Sequence, residues 1–265
     1  MITITYIWHD CFVITDDEAT MVFDYWKDPI FEGIGEPPFL KELDKEKPLY
    51  VFVSHHHKDH FNKEIFEWGK SFNQIHYIIS KDTAKHARHI LRHDSIFKGY
   101  HPKDDQVTAI KAGETYEDKI ISVKAFGSTD IGNSYLVSIG NCKIFHAGDL
   151  NAWLWLDEST NEEVQQALTS YREILDVIAK DAPQLDIAMF PVDSRIGREY
   201  YTGARLFLKA IDVKRFFPMH FGLGEDHEQK RYKEDAMKFQ LYANPERGEY
   251  IGIGESYGRY AFVKK

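Results

Sequence analysis

Cysteine is nearly absent from this chain. Cys11 and Cys142 are the only two in 265 residues, and they stand far apart. That argues against a disulfide framework and against a zinc site built from thiolates. Positive charge is also short: 33 Lys and Arg face 42 Asp and Glu, for a net charge of −9. A nucleic-acid partner is therefore disfavoured, because such partners require a basic face. No apolar run approaches the roughly 20 residues needed to cross a bilayer. The N-terminus has neither the basic start nor the apolar stretch of a signal peptide. No low-complexity linker divides the sequence. The expectation is a cytoplasmic, soluble protein with no membrane partner, folded as one domain over residues 1–265. At 43% hydrophobic and 14% aromatic, it has ample material for a core.

Histidine, by contrast, is plentiful, with 13 in all. Residues 49 to 60 read Leu-Tyr-Val-Phe-Val-Ser-His-His-His-Lys-Asp-His. Leu49 to Val53 form an unbroken apolar run with β-branched and aromatic character, as a fully buried strand does. The run empties into metal-ligand side chains, since imidazole and carboxylate together suit zinc, iron and nickel. His55 and His57 are two apart, so in an extended segment both point the same way and can grip one cation. Asp59 and His60 follow as the chain turns into a short helix near 62–70, where they can face a second cation. His56 and Lys58 alternate outward. His86, His89 and His93 fall at helical spacing within a predicted helix over 82–93. Mixed with Lys85, Arg88 and Arg92, they read as a solvated face rather than another metal site.

Strands are expected at 2–8, 11–15, 20–24, 75–80, 107–110, 119–125, 133–139, 143–146, 185–190 and 215–220. Gly33 to Pro38 is a breaker-rich loop. Ser159 to Glu163 is a capping-box start for a long helix with Val164, Leu168, Tyr171, Ile174, Leu175 and Ile178 on one face, closed by Pro183. A further helix is expected over about 202–211. Strands and helices alternate in two similar blocks, which favours a layered domain with internal pseudo-symmetry. Two more strands end in metal-type residues: Lys143-Ile-Phe-His-Ala-Gly-Asp149 and Arg215-Phe-Phe-Pro-Met-His220. Three such endings in one chain suggest one shared site. Gly252-Ile-Gly-Glu-Ser-Tyr-Gly258 is not a nucleotide loop, having no room for the helix and strand such a loop serves. It reads as a terminal strand and turn.

With these motifs, in this order along essentially the whole chain, the sequence resembles the metallo-β-lactamase fold family of metal-dependent hydrolases. The opening strands and Val22-Phe23-Asp24 add to the likeness. Size and wording look most like the small cytoplasmic branch that includes ascorbate-phosphate lactonase-like proteins. The resemblance implies an α/β fold, a four-layer αββα sandwich of two mixed β-sheets with the site at one edge. It assigns His55 and His57 to a first metal site and Asp59, His60 and His220 to a second, with Asp149 bridging. The family usually adds a third histidine to the first site. This chain has none between Val123 and Asn133: Ser128 stands about where it belongs, and Asp130 is the nearest carboxylate. The first site is then completed by Asp130 or water, or it binds weakly, or it stays empty.

The expected activity is hydrolysis of a small-molecule ester, lactone or phosphodiester by a metal-bound hydroxide. A divalent cation, zinc first and manganese or iron as alternatives, lowers the pKa of bound water from about 15.7 to about 7. Asp59 is the candidate catalytic residue, orienting the nucleophile and shuttling a proton. Trp153 and Trp155 either rim the substrate site or anchor their loop. The rival readings are a non-catalytic metal-binding module of the same fold and a di-iron redox protein. Assembly as a homo-oligomer is left open.

Overall fold

The computed structural model describes residues 1–31, 36–92, 97–239 and 248–263. Residues 33–35 of the breaker-rich loop and His93 lie outside them. Two seven-stranded sheets face each other. The first is built from β1 (Ile2–Trp8), β2 (Cys11–Thr15), β3 (Thr20–Phe23), β4 (Leu49–Val53), β5 (Ile75–Ser80) and β6 (Val107–Ile110). The second holds β7 (Thr115–Glu117), β8 (Ile121–Phe126), β9 (Ser134–Ile139), β10 (Cys142–His146), β11 (Gln184–Pro191), β12 (Asp212–Met219) and β13 (Glu249–Tyr250). The last strand, β14 (Arg259–Phe262), returns to pair with β1.

The repetition visible in the sequence is real in the topology. In the first sheet β1, β2 and β3 pair antiparallel, then β3 to β6 run parallel. In the second, β7 to β10 pair antiparallel, then β10 to β13 run parallel. Parallel strands need both faces covered, which is why β4 is an unbroken apolar run and all five of its residues are buried. Alternation along the strands assigns the faces. Tyr50 and Phe52 join the core between the sheets, whereas Leu49, Val51 and Val53 pack outward.

The outward face of the first sheet is covered by a 3₁₀ helix, Lys63–Lys70, which buries Ile65, Phe66 and Trp68. Ile90 and Ala87, from the segment around α2 (Lys81–His86) and α3 (Arg88–Leu91), join that cluster. The second sheet is covered by α4 (Asn161–Asp181), α5 (Thr202–Ala210) and α6 (Asp226–Lys238). A short α1 (Pro38–Lys41) buries Phe39 and Leu40. The four layers make the expected αββα sandwich. In α4, Thr160 Oγ1 accepts from the Glu163 N–H while Glu163 accepts from the Thr160 N–H, so the capping box closes at both ends.

The short helix expected near 62–70 is present as the 3₁₀ helix Lys63–Lys70. Other local expectations differ. The predicted helix over 82–93 is broken at Ala87, whose ψ of 7° interrupts the helical path. The strand expected at 119 begins at Ile121, and β7, α1 and α6 were not anticipated. Gly252 to Gly258, expected as a terminal strand and turn, holds the turn but no strand; β13 and β14 flank it.

Candidate metal centre

In a sheet of this kind the carboxyl ends of the strands open onto a crevice, and six chain segments meet there. Ser54 to His60 leave β4, Gly148 and Asp149 leave β10, His220 leaves β12, and Asp193 leaves β11. Asp24 leaves β3, and the β1–β2 turn adds His9 and Asp10. The convergence holds the backbone in sparsely populated conformations. His9, Asp24, Trp153 and His220 all have positive φ, at 55°, 42°, 46° and 70°. Two glycines permit the close approach of the loops. A Cβ on Gly148 (φ 52°) would lie 2.7 Å from Ser54 Cβ, and one on Gly132 (φ 77°) would lie 2.1 Å from the Ser54 carbonyl oxygen.

Proton assignments follow from the partners of each ring. His60 Nδ1 lies 2.9 Å from Asp24 Oδ2 and donates to it, which leaves the Nε2 lone pair facing the site. Ser54 Oγ gives its proton to Asp24 Oδ2 at 2.5 Å and so accepts from His55 Nδ1 at 3.0 Å, again freeing Nε2. His220 Nδ1 donates to Asp193 Oδ2 at 2.9 Å, and Asp193 is clamped by the Arg195 guanidinium. A carboxylate directly behind His60 and His220, and one acting through Ser54 behind His55, fixes each tautomer and raises the ring's basicity as a ligand. His146 is a different case. It accepts from the Gly148 N–H and donates to the Asp10 carbonyl, a satisfied core histidine that stacks on Phe23.

The freed atoms crowd together without hydrogen bonding. His60 Nε2 lies 3.0 Å from Asp149 Oδ1 and 3.2 Å from Asp10 Oδ2. His220 Nε2 lies 3.1 Å from Asp149 Oδ1, and His55 Nε2 3.2 Å from Asp149 Oδ2. The Nε2 atoms of His9, His55, His60 and His220, both oxygens of Asp10 and Asp149 Oδ1 are buried with no hydrogen-bond partner. Buried polar atoms are ordinarily paired; the unpaired Nε2 lone pairs of His55, His60 and His220 and the unpaired oxygens of Asp10 and Asp149 fit a divalent cation. In the bare protein their charges shift strongly. Burial opposes ionisation of Asp149, but His60 and His220 outweigh it and hold the carboxyl well below its usual range. Burial alone would lower His220, yet Asp10 and Asp149 push it up to about 10.

Three sets of potential ligand atoms, each within 4.8 Å, emerge among the described residues: Asp10, His60, Asp149 and His220; His9, Asp59, His60 and His220; and His55, His57, Asp130 and Asp149. All six residues expected from the sequence are therefore brought to one place, together with Asp130, whose Oδ2 lies 3.7 Å from His57 Nδ1. Ser128 Oγ instead accepts from the Asp130 N–H. His86 and His89 belong to none of the sets. Trp153 Nε1 donates to the Asp149 carbonyl at 2.8 Å and its ring lies 5.3 Å from His220, so it anchors the loop; Trp155 is exposed.

A family profile described as the beta-lactamase superfamily domain matches residues 3–166, more than half of the chain. The chain belongs to the beta-lactamase superfamily. It is 24% identical over 224 residues to a UPF0173 metal-dependent hydrolase of Symbiobacterium thermophilum, covering 83% of this chain and 84% of that protein. A UPF0173 metal-dependent hydrolase of Desulforamulus reducens is also 24% identical, over 228 residues, covering 82% of this chain and 83% of that protein. The metallo-β-lactamase fold recurs in a metallo hydrolase from Ignicoccus hospitalis, with a TM-score of 0.64, 14% identity and coverage of 100% and 99%. A diiron β-hydroxylase of Streptomyces venezuelae shares it too, with a TM-score of 0.59 and 13% identity over 94% of this chain and 52% of that one.

Beyond the histidine motif, the cluster in this superfamily member draws on residues that the sequence leaves unmarked. Asp24 counts in the sequence only as a strand end and toward the family likeness, and His9, Asp10, Asp193 and Arg195 carry no expectation there. One signal was present: a two-residue connection between apolar strands made of His and Asp rather than Gly or Asn.

Proposed function

We propose that the protein is a metal-dependent hydrolase of a small ester, lactone or phosphodiester that carries a negative charge. The observation that carries this reading is the set of buried, unpartnered ligand atoms converging from four strand ends. His60, His220, Asp149 and Asp59 would hold one cation, and His55, His57 and Asp130 a second, with Asp149 shared. A bound divalent cation, zinc in the first instance, would supply an activated water and withdraw charge from the reacting oxygen of the substrate.

The protein's own residues supply the rest. Asp24 and Asp193 hold the rings of His60 and His220 with their lone pairs inward. Asp59 is only partly buried, and His60, His9 and His220 overcome the effect of burial to hold its carboxyl well below the usual range. It thus stays ionised, as an acceptor that orients a water and takes its proton must. A cavity of about 600 Å³ opens beside His57, lined by Trp26, Lys27, Lys58, Phe61 and Lys63 among others, and by no carboxylate. Lys58 and Lys63 have no ion-pair partner among the described residues, and Lys27 rests on the Trp8 and Trp26 rings. In a chain of net charge −9, such a cationic cleft favours an anionic small molecule.

The test is metal analysis of purified protein followed by hydrolysis assays of the stripped and zinc-reloaded forms on a panel of anionic lactones and phosphodiesters. Metal-dependent turnover lost in Asp59→Ala is expected. Loaded protein that hydrolyses nothing on the panel would favour a binding module instead, and iron with oxygen uptake a redox protein.

A further inference from the structure

The β1–β2 turn is where the site exceeds its motifs. Two-residue hairpin turns favour glycine and asparagine because φ must be positive. Here the turn is His9-Asp10, between the paired Trp8 and Cys11, with His9 at φ 55°. It is held on both sides: the His9 N–H donates to the Tyr6 hydroxyl, and its carbonyl accepts from the His220 N–H. Both side chains are completely buried.

Neither oxygen of Asp10 has a hydrogen-bond partner, a costly state for a buried carboxylate unless a cation answers it. Its Oδ2 lies 3.2 Å from His60 Nε2 and 3.9 Å from His220 Nε2, while both rings lie 3.0–3.1 Å from Asp149 Oδ1. For comparison, the edges of a tetrahedron around zinc with bonds of about 2.0–2.1 Å run about 3.3–3.4 Å. Asp59 Oδ2, at 3.9 Å from His60 Nε2, stands farther out and is partly exposed.

His9 is close enough to be a ligand, but its proton is in the way. The Gly222 N–H donates to His9 Nδ1 at 2.9 Å, so that nitrogen presents its lone pair and the neutral ring carries its proton on Nε2. This N–H faces Asp59 Oδ2 at 3.5 Å and Asp10 Oδ2 at 3.7 Å.

We infer that the turn divides its labour: Asp10 is a metal ligand outside the histidine motif, joining His60, Asp149 and His220, and His9 is an N–H donor that positions the Asp10 and Asp59 carboxylates. The inference rests on the metal-dependent reading and refines it, since Asp59 is then free to face the substrate.

Two measurements on the unmodified protein test it. A zinc-soaked crystal should show its anomalous peak within about 2.0–2.2 Å of an Asp10 oxygen. Nitrogen-15 spectra of histidine-labelled protein should show His9 still protonated at Nε2 after zinc is added. Variants add an affinity readout by chelator competition. Asp10→Asn should weaken zinc at least about tenfold, whereas His9→Gln, which keeps an N–H near the same place, should stay within about threefold of the parent. A zinc peak more than 3 Å from Asp10, or unchanged affinity in Asp10→Asn, overturns the ligand. Loss of the Nε2 proton on loading, or a tenfold loss in His9→Gln, overturns the donor. Protein that takes up no zinc, manganese or iron at all overturns the metal reading itself.

Discussion

The two halves of the site are built to different standards. The inner half, His60, His220, Asp149 and Asp10, is buried, and each ring is locked from behind by a buried carboxylate, Asp24 or Asp193. The outer half joins buried His55 to His57 and Asp130, both of whose side chains are 44% exposed. Among the described residues, only His55 of these three has a fixing partner, through Ser54. Burial weakens screening and removes competition from water, and fixed rings lose less freedom on binding. The inner position should therefore be the tight one, and the outer the one that fills last.

The largest way to break that comparison is His60→Ala, which removes a ring shared by two of the three ligand sets. Zinc affinity measured by chelator competition should fall more than about 100-fold, beyond the range for losing an outer partner alone. Retained tight binding would show that the inner half is not the principal site. Asp24→Asn should come next, with a loss of about 10–100-fold, because Asp24 orients His60 directly and His55 through Ser54. Asp130→Ala should act on the outer position alone, lowering metal from two equivalents to one in elemental analysis while the tight phase persists. Loss of both would erase the distinction between the inner and outer halves.

The smallest effect sharpens rather than breaks it. In metal-free protein His220 is raised from 6.5 to about 10, and His60 is raised too. A histidine raised on folding stabilises fully below its unfolded pKa and loses that contribution as pH rises through the folded value. Metal requires the same rings deprotonated. Between about pH 6.5 and 10, stability of the bare protein should fall while zinc affinity rises, so the melting-temperature gain on adding zinc should grow with pH. A gain that shrinks with rising pH would contradict the inner assignment.

Much of this was legible in one dimension. The unbroken apolar run of β4 announced a strand covered on both faces, and His55 to His60 announced ligands at its end, because period and residue type are local properties. The capping box of α4 was legible for the same reason. Asp10 and Asp193 were not: a single carboxylate after a strand has no spacing to distinguish it, and its meaning lies in what the fold sets against its oxygens, nothing for Asp10 and the His220 ring for Asp193. Helix 82–93 failed for a related reason, since the break at Ala87 is not written in local propensity. Alanine is the best helix former there is, and here the packing of the segment overrides it.

The sequence by itself determined the two-block strand order, the buried strands and the identity of the side chains available to a cation. Only the tertiary structure decided their roles. Gly222, more than 200 residues beyond His9, sets that ring's tautomer by donating to Nδ1, while Asp24 sets the opposite tautomer on His60. A histidine's chemistry depends on which nitrogen holds the proton, and that is settled by whatever the fold places against the other.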